Sequence, residues 1–307
     1  MHETDRREFI KKLAAGALSA PLAARQLLQS APSPAAPSRI KKGDMYFRKL
    51  GRTELLVSEI SLGGSPIPER PVLFQSIERG INYIDTSHTY MNGNSERGIG
   101  EALKEFGRDK IHVATKFHLR RSWSRETIVD TVESSLKRLQ TDYIDVLCIH
   151  GASDPELLTD ERVLEAFERL RKEGKYRFRG LSCHSNHENI VEKAVSCGVY
   201  DMILLGYNVF DIKESDEEIE VYDDYLQACG LSRMISSAKE KNVGIIAMKT
   251  LKVGGRRQKL EKYEDGTASS YQAMLKWALS NPDISSVATE MMNFRELEED
   301  LAVVGML

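Results

Sequence analysis

Cysteine is scarce in this chain: there are four in 307 residues, none paired as CxxC and none at metal-ligand spacing. Cys148, Cys183, Cys197 and Cys229 thus outline neither a zinc site nor a redox pair, and an even number alone does not make disulfides. Two of them fall in or at the end of strand-like runs, where a thiol is most often a small buried hydrophobe. Long apolar runs are missing as well. No stretch reaches the roughly 18 to 20 uncharged residues that a membrane-spanning helix requires. Nor is there an excess of positive charge, since 43 Lys/Arg stand against 46 Asp/Glu. Neutralising phosphates needs a basic face, which argues against nucleic acid as a partner.

What basic charge there is gathers at the beginning. Residues 1–42 hold eight Lys/Arg (Arg6, Arg7, Lys11, Lys12, Arg25, Arg39, Lys41, Lys42) and three acids (Glu3, Asp5, Glu8), leaving 35 basic and 43 acidic residues of the totals for the rest. Asp5-Arg6-Arg7-Glu8-Phe9-Ile10-Lys11 precedes a mild apolar run from Leu13 to Ala24 and a Pro/Ala/Ser tract from Ser30 to Ser38. That is the charged, apolar and flexible order of export peptides. The paired arginines followed by Phe and an aliphatic residue resemble a twin-arginine signal. Residues 1–42 are read as this signal and a flexible linker, with a cleavage point near Ala35, and 43–307 as the folded domain. The twin-arginine export machinery is then an expected partner, and the destination is periplasmic or extracytoplasmic. A tail on a cytoplasmic protein is the alternative. No Cys follows the apolar run, so a lipoprotein anchor is not indicated.

From Tyr46 onward, short β-branched or apolar runs alternate with longer helical patterns, which argues for parallel βα units. Strands are expected near Glu59–Leu62, Tyr83–Asp85, His112–Lys116, Tyr143–His150, Arg179–Ser182, Met202–Tyr207, Gly244–Lys249 and Ser286–Ala288. Helices are expected near Pro71–Arg79, Ser95–Glu105, Arg125–Leu139, Glu161–Glu173, Asn186–Ser196, Leu231–Lys241, Ser269–Ser280 and Phe294–Val304. Eight alternations predict an α/β fold, a closed (β/α)8 barrel of the TIM type. Tyr46–Leu50 and Leu55–Val57, around Gly51-Arg52-Thr53, predict a hairpin plugging the barrel bottom. Helix punctuation agrees: Ser124 precedes a stripe of Ile128, Val132, Leu136 and Leu139, and Gly174 and Pro282 stop two other helices. The acidic stretch from Asp211 to Asp224 is too long for a tight connection, which leaves a lid or a solvated insertion.

Chemistry in such a barrel belongs at the C-terminal mouths of the strands. Asp85 ends the second strand, Tyr90 follows in its loop, Lys116 ends the third and His150 the fourth, so adjacent strands place these four groups around one rim. The residue types suit hydride transfer to a carbonyl. Negative charge grows on oxygen as hydride reaches carbon, and a positioned phenol can neutralise it with a proton. An unperturbed tyrosine near pKa 10 is a reluctant acid at neutral pH. A neighbouring ammonium is expected to lower that value, and a carboxylate beside the lysine to hold the ammonium charged. On this reading Asp85 supports Lys116, Lys116 supports Tyr90, and His150 orients the substrate oxygen or shares the proton. Taken singly, each residue has a structural explanation; the joint order carries the argument.

The chain resembles the aldo/keto reductase superfamily from about Tyr46 to Val304. Phe47-Arg48-Lys49-Leu50-Gly51-Arg52-Thr53 with Val57-Ser58 matches the family's opening. Its most specific block is matched by Ile84-Asp85-Thr86 through Tyr90, then Gly93-Asn94-Ser95-Glu96-Arg97 to Gly100-Glu101-Ala102-Leu103, and Tyr143-Ile144-Asp145-Val146-Leu147 leads to His150. The resemblance implies that Asp85, Tyr90, Lys116 and His150 form the catalytic tetrad, and that the cofactor is NADP or NAD held without a GxGxxG fold. It places Gly63 and Gly64 near the nicotinamide ribose and Ser182 at the carboxamide, with Cys183 where asparagine is usual and Leu204 for a glutamine. Met248 stands where an aromatic ring is common, and Met248-Lys249-Thr250-Leu251 with Gly254-Gly255 aligns with the pyrophosphate loop. Glu299 matches the adenine contact and Asp300 replaces a frequent asparagine. Basic residues that clamp a 2′-phosphate in phosphate-selective relatives align with Glu290 and Glu296, with Met291 and Met292 beside the first and Arg295 one position from the second, which weakens the case for NADP.

The implied activity is NAD(P)-dependent interconversion of a small carbonyl compound, an aldehyde, ketone or sugar, with its alcohol. The alternative is a cofactor-binding redox sensor or partner-binding barrel with little turnover. The implied passenger of a twin-arginine route is a folded, cofactor-loaded protein. Two features bear on substrate: little chain follows the last helix, and His118, Arg120, Arg121 and Trp123 stand in the third loop, where they suit a polyhydroxylated or anionic compound or are merely solvated.

Overall fold

Three short antiparallel strands come first in the computed structural model: β1 (Ile40–Lys42), β2 (Met45–Lys49) and β3 (Leu56–Ser58), paired in that order. The structure describes residues 39–208, 210–211, 220–221, 231–253, 256–257 and 268–306. The expected export signal, Cys229, Gly254, Gly255 and most of the acidic 211–224 stretch lie outside these residues.

The βα alternation then closes into a cylinder. Its parallel strands are β4 (Ile60–Gly63), β5 (Tyr83–Asp85), β6 (His112–His118), β7 (Ile144–Ala152), β8 (Tyr176–Cys183), β9 (Met202–Gly206), β12 (Gly244–Met248) and β15 (Ser286–Thr289), the last pairing with β4. Two-residue ladders, β10 (Phe210–Asp211) with β11 (Glu220–Val221) and β13 (Lys252–Val253) with β14 (Arg256–Arg257), follow β9 and β12 at the mouth. The surrounding helices are α1 (Arg70–Glu78), α2 (Asn94–Phe106), α3 (Arg125–Leu139), α4 (Glu161–Lys172), α5 (His187–Ser196), α6 (Leu231–Glu240), α7 (Ser270–Ser280) and α8 (Phe294–Leu301). Each expected strand and helix is present, with ends moved by a few residues. The largest shifts, of three residues, are at the start of β8 and at the last helix, where a 3-10 turn over Ala302–Gly305 takes over from α8.

Local chemistry sets several of these ends. Ser124 accepts the N–H of Thr127 and opens α3, and Ser269 forms a capping box with Gln272 at α7. In the strands, alternation sorts side chains into two layers. Ile84, Val113, Phe117, Leu147, Ile149, Leu181 and Cys183 face the helices, within the larger apolar core. Tyr83, Ala114, Val146, Cys148, Met202, Leu204, Ile246 and Met248 fill the barrel, and Leu50, Leu55 and Val57 of the hairpin join them from below. The hairpin turn seats on β12, where the Arg52 N–H reaches the carbonyl of Asn242 at 2.6 Å. A Cβ on Gly51, whose φ is +49°, would lie 2.3 Å from the backbone nitrogen of Gly244. Only glycine tolerates both the turn and that approach.

The bottom is locked by charge. Arg48 donates to Glu59 at 2.7 Å and to the carbonyls of Leu279, Asn281 and Ile284, while Arg39 grips both oxygens of Glu59. Glu59 is fully buried, and this pairing makes its burial tolerable.

Candidate active site

Luminal alternation and strand register bring the chemistry together at the other end. On β5, Tyr83 and Asp85 point inward; on β6, Ala114, Lys116 and His118; on β7, Cys148 and His150. His118 and His150 are direct cross-strand partners, and their rings stack at 4.2 Å. Past His150 the pairing with β8 shifts at Gly151, whose φ is +60°. Such a bulge re-aims the side chain beside it. The Gly151 N–H is held by the hydroxyl of Ser182 at 2.8 Å, so Ser182, itself fully buried, braces the turn that presents His150.

Lys116 is buried with its ammonium 2.6 Å from Asp85 Oδ2 and 2.7 Å from the carbonyl oxygen of Thr86. Burial works against its charge, but Asp85 and Tyr90 outweigh burial, and the pKa is raised. Burial likewise raises the carboxyl of Asp85 against the pull of Lys116. At 2.6 Å the mutual attraction decides the state, and we read the pair as ionic. The ammonium also lies 5.0 Å from the ring centre of Tyr90.

The Tyr90 hydroxyl lies 3.4 Å from His150 Nε2, and the two rings meet edge to face at 5.4 Å. One expectation is overturned here. Burial dominates the phenol and raises its pKa, aided by Asp85 and Glu290; Lys116 pulls downward but does not win. The resting phenol is a well-stocked proton donor, not an acidified one, because desolvation of an anion costs more than one already-paired ammonium returns. His150 moves the opposite way, lowered to about 2 by burial and then by Lys116, His118, His184 and His88. It is therefore a neutral imidazole, able to donate at one nitrogen while accepting at the other.

Three further imidazoles surround the tetrad. His88 packs edge-on against His118 at 5.5 Å, and its Nδ1 lies 2.9 Å from the carbonyl of Lys116. His184 lies 6.2 Å from His150. His187, at the start of α5, has a buried Nε2 with no partner among the described residues, 3.6 Å from where a Gly206 side chain would begin. No motif in the sequence singles out His88, His184, His187 or Ser87 for the site. A signal was available: of seven histidines, five follow or end four consecutive barrel strands, β5 to β8.

The residues assigned to the cofactor by resemblance separate into groups. Gly64 has a packing reason, since a Cβ there would meet Ser95 Oγ at 2.7 Å and the Asp85 carbonyl at 2.8 Å. A Cβ on Gly63 would make ordinary contacts, 3.4 Å from the Thr289 carbonyl oxygen and 3.5 Å from Glu290 Cγ on the β15 side. Met248 forms the luminal floor and Lys249 projects into solvent with φ +59°. Thr250 is buried and spends its hydroxyl on the carbonyl of Tyr207, and Leu251 joins the outer core. Alternation turns Cys183 to the helix-facing core, where its thiol reaches the carbonyl of Ser185 and burial raises its pKa to about 11. Asp300 is fully buried and accepts from Thr289 at 3.1 Å, tying α8 to β15. Glu299 remains half-buried beside it. Leu204 fills the lumen. Gly254 lies outside the described residues. At the start of α8, Glu296 accepts the N–H of Met292 at 2.8 Å, so a carboxylate occupies a donor that a phosphate would use.

A barrel whose mouth holds a buried lysine–carboxylate pair, a phenol and a neutral imidazole defines an oxidoreductase of the carbonyl-reducing kind. The chain belongs to the aldo/keto reductase family, whose model matches residues 71–306. It is 28% identical over 282 residues to an uncharacterized oxidoreductase, YqkF, of Bacillus subtilis, covering 84% of this chain and 90% of that protein. It is 25% identical over 309 residues to the NADH-specific methylglyoxal reductase of Escherichia coli, covering 83% and 92%. The structure of the aldo-keto reductase AKR11C1 from Bacillus halodurans in its holo form superimposes with a TM-score of 0.64 at 23% identity, over 85% and 91% of the two chains. That likeness supports the fold.

Proposed function

We propose that this chain reduces a small carbonyl compound to its alcohol, with Tyr90 as the proton donor and a nicotinamide dinucleotide as the hydride source. The observation that carries this is the convergence of Tyr90 on His150 and Lys116, the latter ion-paired with Asp85. A buried donor network of this kind is what a developing alkoxide requires. His150, neutral by burial, orients the carbonyl oxygen, and Lys116 stabilises the phenolate left after the proton departs. The buried His187 Nε2, without a partner among the described residues, fits a polar group bound at the same mouth. When bound, that group supplies the hydride.

Of the two dinucleotides, we favour NADH. Glu296 already fills the anion position at the start of α8, and a 2′-phosphate would meet a carboxylate there. We also propose that residues 1–42 export the folded, loaded protein through the twin-arginine machinery, which is what their paired arginines, apolar run and Pro/Ala/Ser tract suit. Native mass spectrometry of protein recovered from the exported fraction checks this; an empty barrel that also fails to take up added cofactor ends the idea.

The reaction itself is tested by assaying the purified full chain with NADH and NADPH against sugars, aldehydes and ketones, alongside Tyr90→Phe. Turnover that drops roughly 10²- to 10⁴-fold in the variant is expected. Wild-type protein that binds cofactor yet turns over nothing across the panel would overturn the reading.

A further inference from the structure

Each time Tyr90 gives its proton away, it must be refilled before the next turnover. Two routes leave its hydroxyl. One runs to Lys116, whose other partners are Asp85 and the Thr86 carbonyl, all buried, and Asp85 Oδ1 has no further partner among the described residues. That branch ends inside the protein. The other runs through His150. Its Nε2 lies 3.4 Å from the Tyr90 hydroxyl and its Nδ1 3.0 Å from Ser87 Oγ. Ser87 Oγ lies 3.3 Å from Thr89 Oγ1, and Thr89 Oγ1 lies 3.4 Å from His118 Nε2. Ser87 is buried, His118 is partly exposed and Thr89 faces solvent. The chain of polar atoms is continuous from the phenol to the surface.

We propose that Ser87, Thr89 and His118 form, with His150, a proton relay that refills Tyr90 from solvent. The proposal rests on the reading that Tyr90 protonates the substrate oxygen. The steps balance. Tyr90 loses its O–H proton to the substrate, and its phenolate takes the proton on His150 Nε2. His150 Nδ1 takes the Ser87 hydroxyl proton, Ser87 takes that of Thr89, and Thr89 takes the one on His118 Nε2. His118 Nδ1 takes a proton from hydronium or a buffer acid in solvent, so one proton enters and no group of the protein is left charged.

Imidazole and hydroxyl are suited to this because each can donate and accept in turn. The Ser87 hydrogen chooses among His150 Nδ1, Thr89 Oγ1 and the Lys116 carbonyl at 3.3 Å, and a rotation of one hydroxyl opens or closes the path. The longer contacts are of the kind that tighten once substrate closes the site. Burial lowers the pKa of both rings, aided at His118 by His88, Arg120 and Lys116 and at His150 by Lys116, His118, His184 and His88, and the two rings stack. A neutral ring shuttles a proton by exchanging tautomers without creating a buried cation. Ser87, Thr89 and His118 act through His150 and are positioning residues.

The experiment uses the full chain with NADH and 4-nitrobenzaldehyde, comparing wild type with Ser87→Ala and with His118→Phe, which keeps a ring in the stack. We expect steady-state reduction to fall about tenfold, with the slowing concentrated in later turnovers, because the first proton is already on Tyr90. Added imidazole should restore His118→Phe in proportion to its concentration and leave wild type unaffected. A loss shared equally by the first turnover, or one indifferent to imidazole, overturns the relay. If wild type itself fails to reduce the aldehyde, the functional reading is what fails, and nitrogen NMR of the imidazoles still decides the chain's continuity. Ser87→Ala should change the tautomer balance of both His150 and His118; an unmoved His118 sinks the proposal.

Discussion

The two ends of the barrel use buried polar groups in opposite ways. At the bottom, Glu59 is gripped by Arg48 and Arg39, and Asp145 by Arg108, Arg177 and the backbone N–H of Val113, with His112 alongside. Most donors and acceptors there are matched. At the top, Asp85 and His187 each keep a buried polar atom without a partner among the described residues, and imidazoles crowd one another instead of pairing with acids. The difference teaches where stability and chemistry divide: matched charge holds the hairpin plug, and unmatched polarity waits for ligands.

The largest break in that comparison should come from the bottom. Glu59→Ala strips the counter-ion from Arg48, leaving a buried guanidinium with only carbonyls, and should cost about 3–5 kcal/mol of stability. Denaturant midpoints measure it, and activity per folded molecule should persist. Tyr90→Phe is the mirror experiment. The hydroxyl makes a long contact to His150, at 3.4 Å, with Lys116 beside it, so stability should stay within about 0.5 kcal/mol while turnover collapses. A Tyr90→Phe protein that melts early would place structural duty at the top and blur the division.

Acid sharpens the contrast. Burial raises Asp145, but His112, Arg108 and the Val113 N–H outweigh it and leave the carboxyl at about 2, below its usual 3.8. A depressed folded pKa gives stability that is present above about pH 3.8 and lost as pH falls toward 2, amounting to about 2 kcal/mol. His150 runs the other way in pH. Its folded pKa, lowered to about 2 from 6.5, means that the unfolded chain takes its proton first, so stability erodes as pH falls below 6.5. The top therefore feels acid before the bottom does. Stability measured against pH should flatten between pH 6.5 and 4 in His150→Gln, and only below pH 4 in Asp145→Asn. Identical curves for the two variants would erase the distinction.

Much of this arrangement is legible in the sequence because period and position encode it. Residues at strand ends in a βα repeat must share a rim, so Asp85, Lys116 and His150 could be placed together before any coordinates. The hairpin plug follows from two apolar runs around Gly51. What was not legible depends on facing and desolvation. One residue separates Ser182, which faces inward, from Cys183, which faces the helices, and the resemblance alone carried both into the site. The resemblance also carried Asp300 into the site, and nothing local shows that α8 turns it onto Thr289. The sign of the Tyr90 shift required knowing how deeply the ring is buried, since ammonium and burial oppose each other there.

The smallest effect concerns cofactor choice, and it extends the same contrast to the last helix. Glu296 caps the N–H of Met292, while Asn293 accepts the N–H of Glu296, so the start of α8 satisfies itself internally as the barrel bottom does. A self-satisfied anion position resists a second anion, both by charge and by occupying the donor. Glu296→Lys removes the carboxylate, frees the Met292 N–H and adds a cation at a helix start that otherwise favours negative charge. NADPH should then bind about tenfold tighter relative to NADH, near 1.4 kcal/mol, with a small loss of helix stability offsetting part of the gain. Fluorescence titration with both dinucleotides reads the ratio. If the variant leaves the ratio where it was, the 2′-position lies elsewhere, and Glu290, beside Gly63 and felt by Tyr90, becomes the carboxylate to change next.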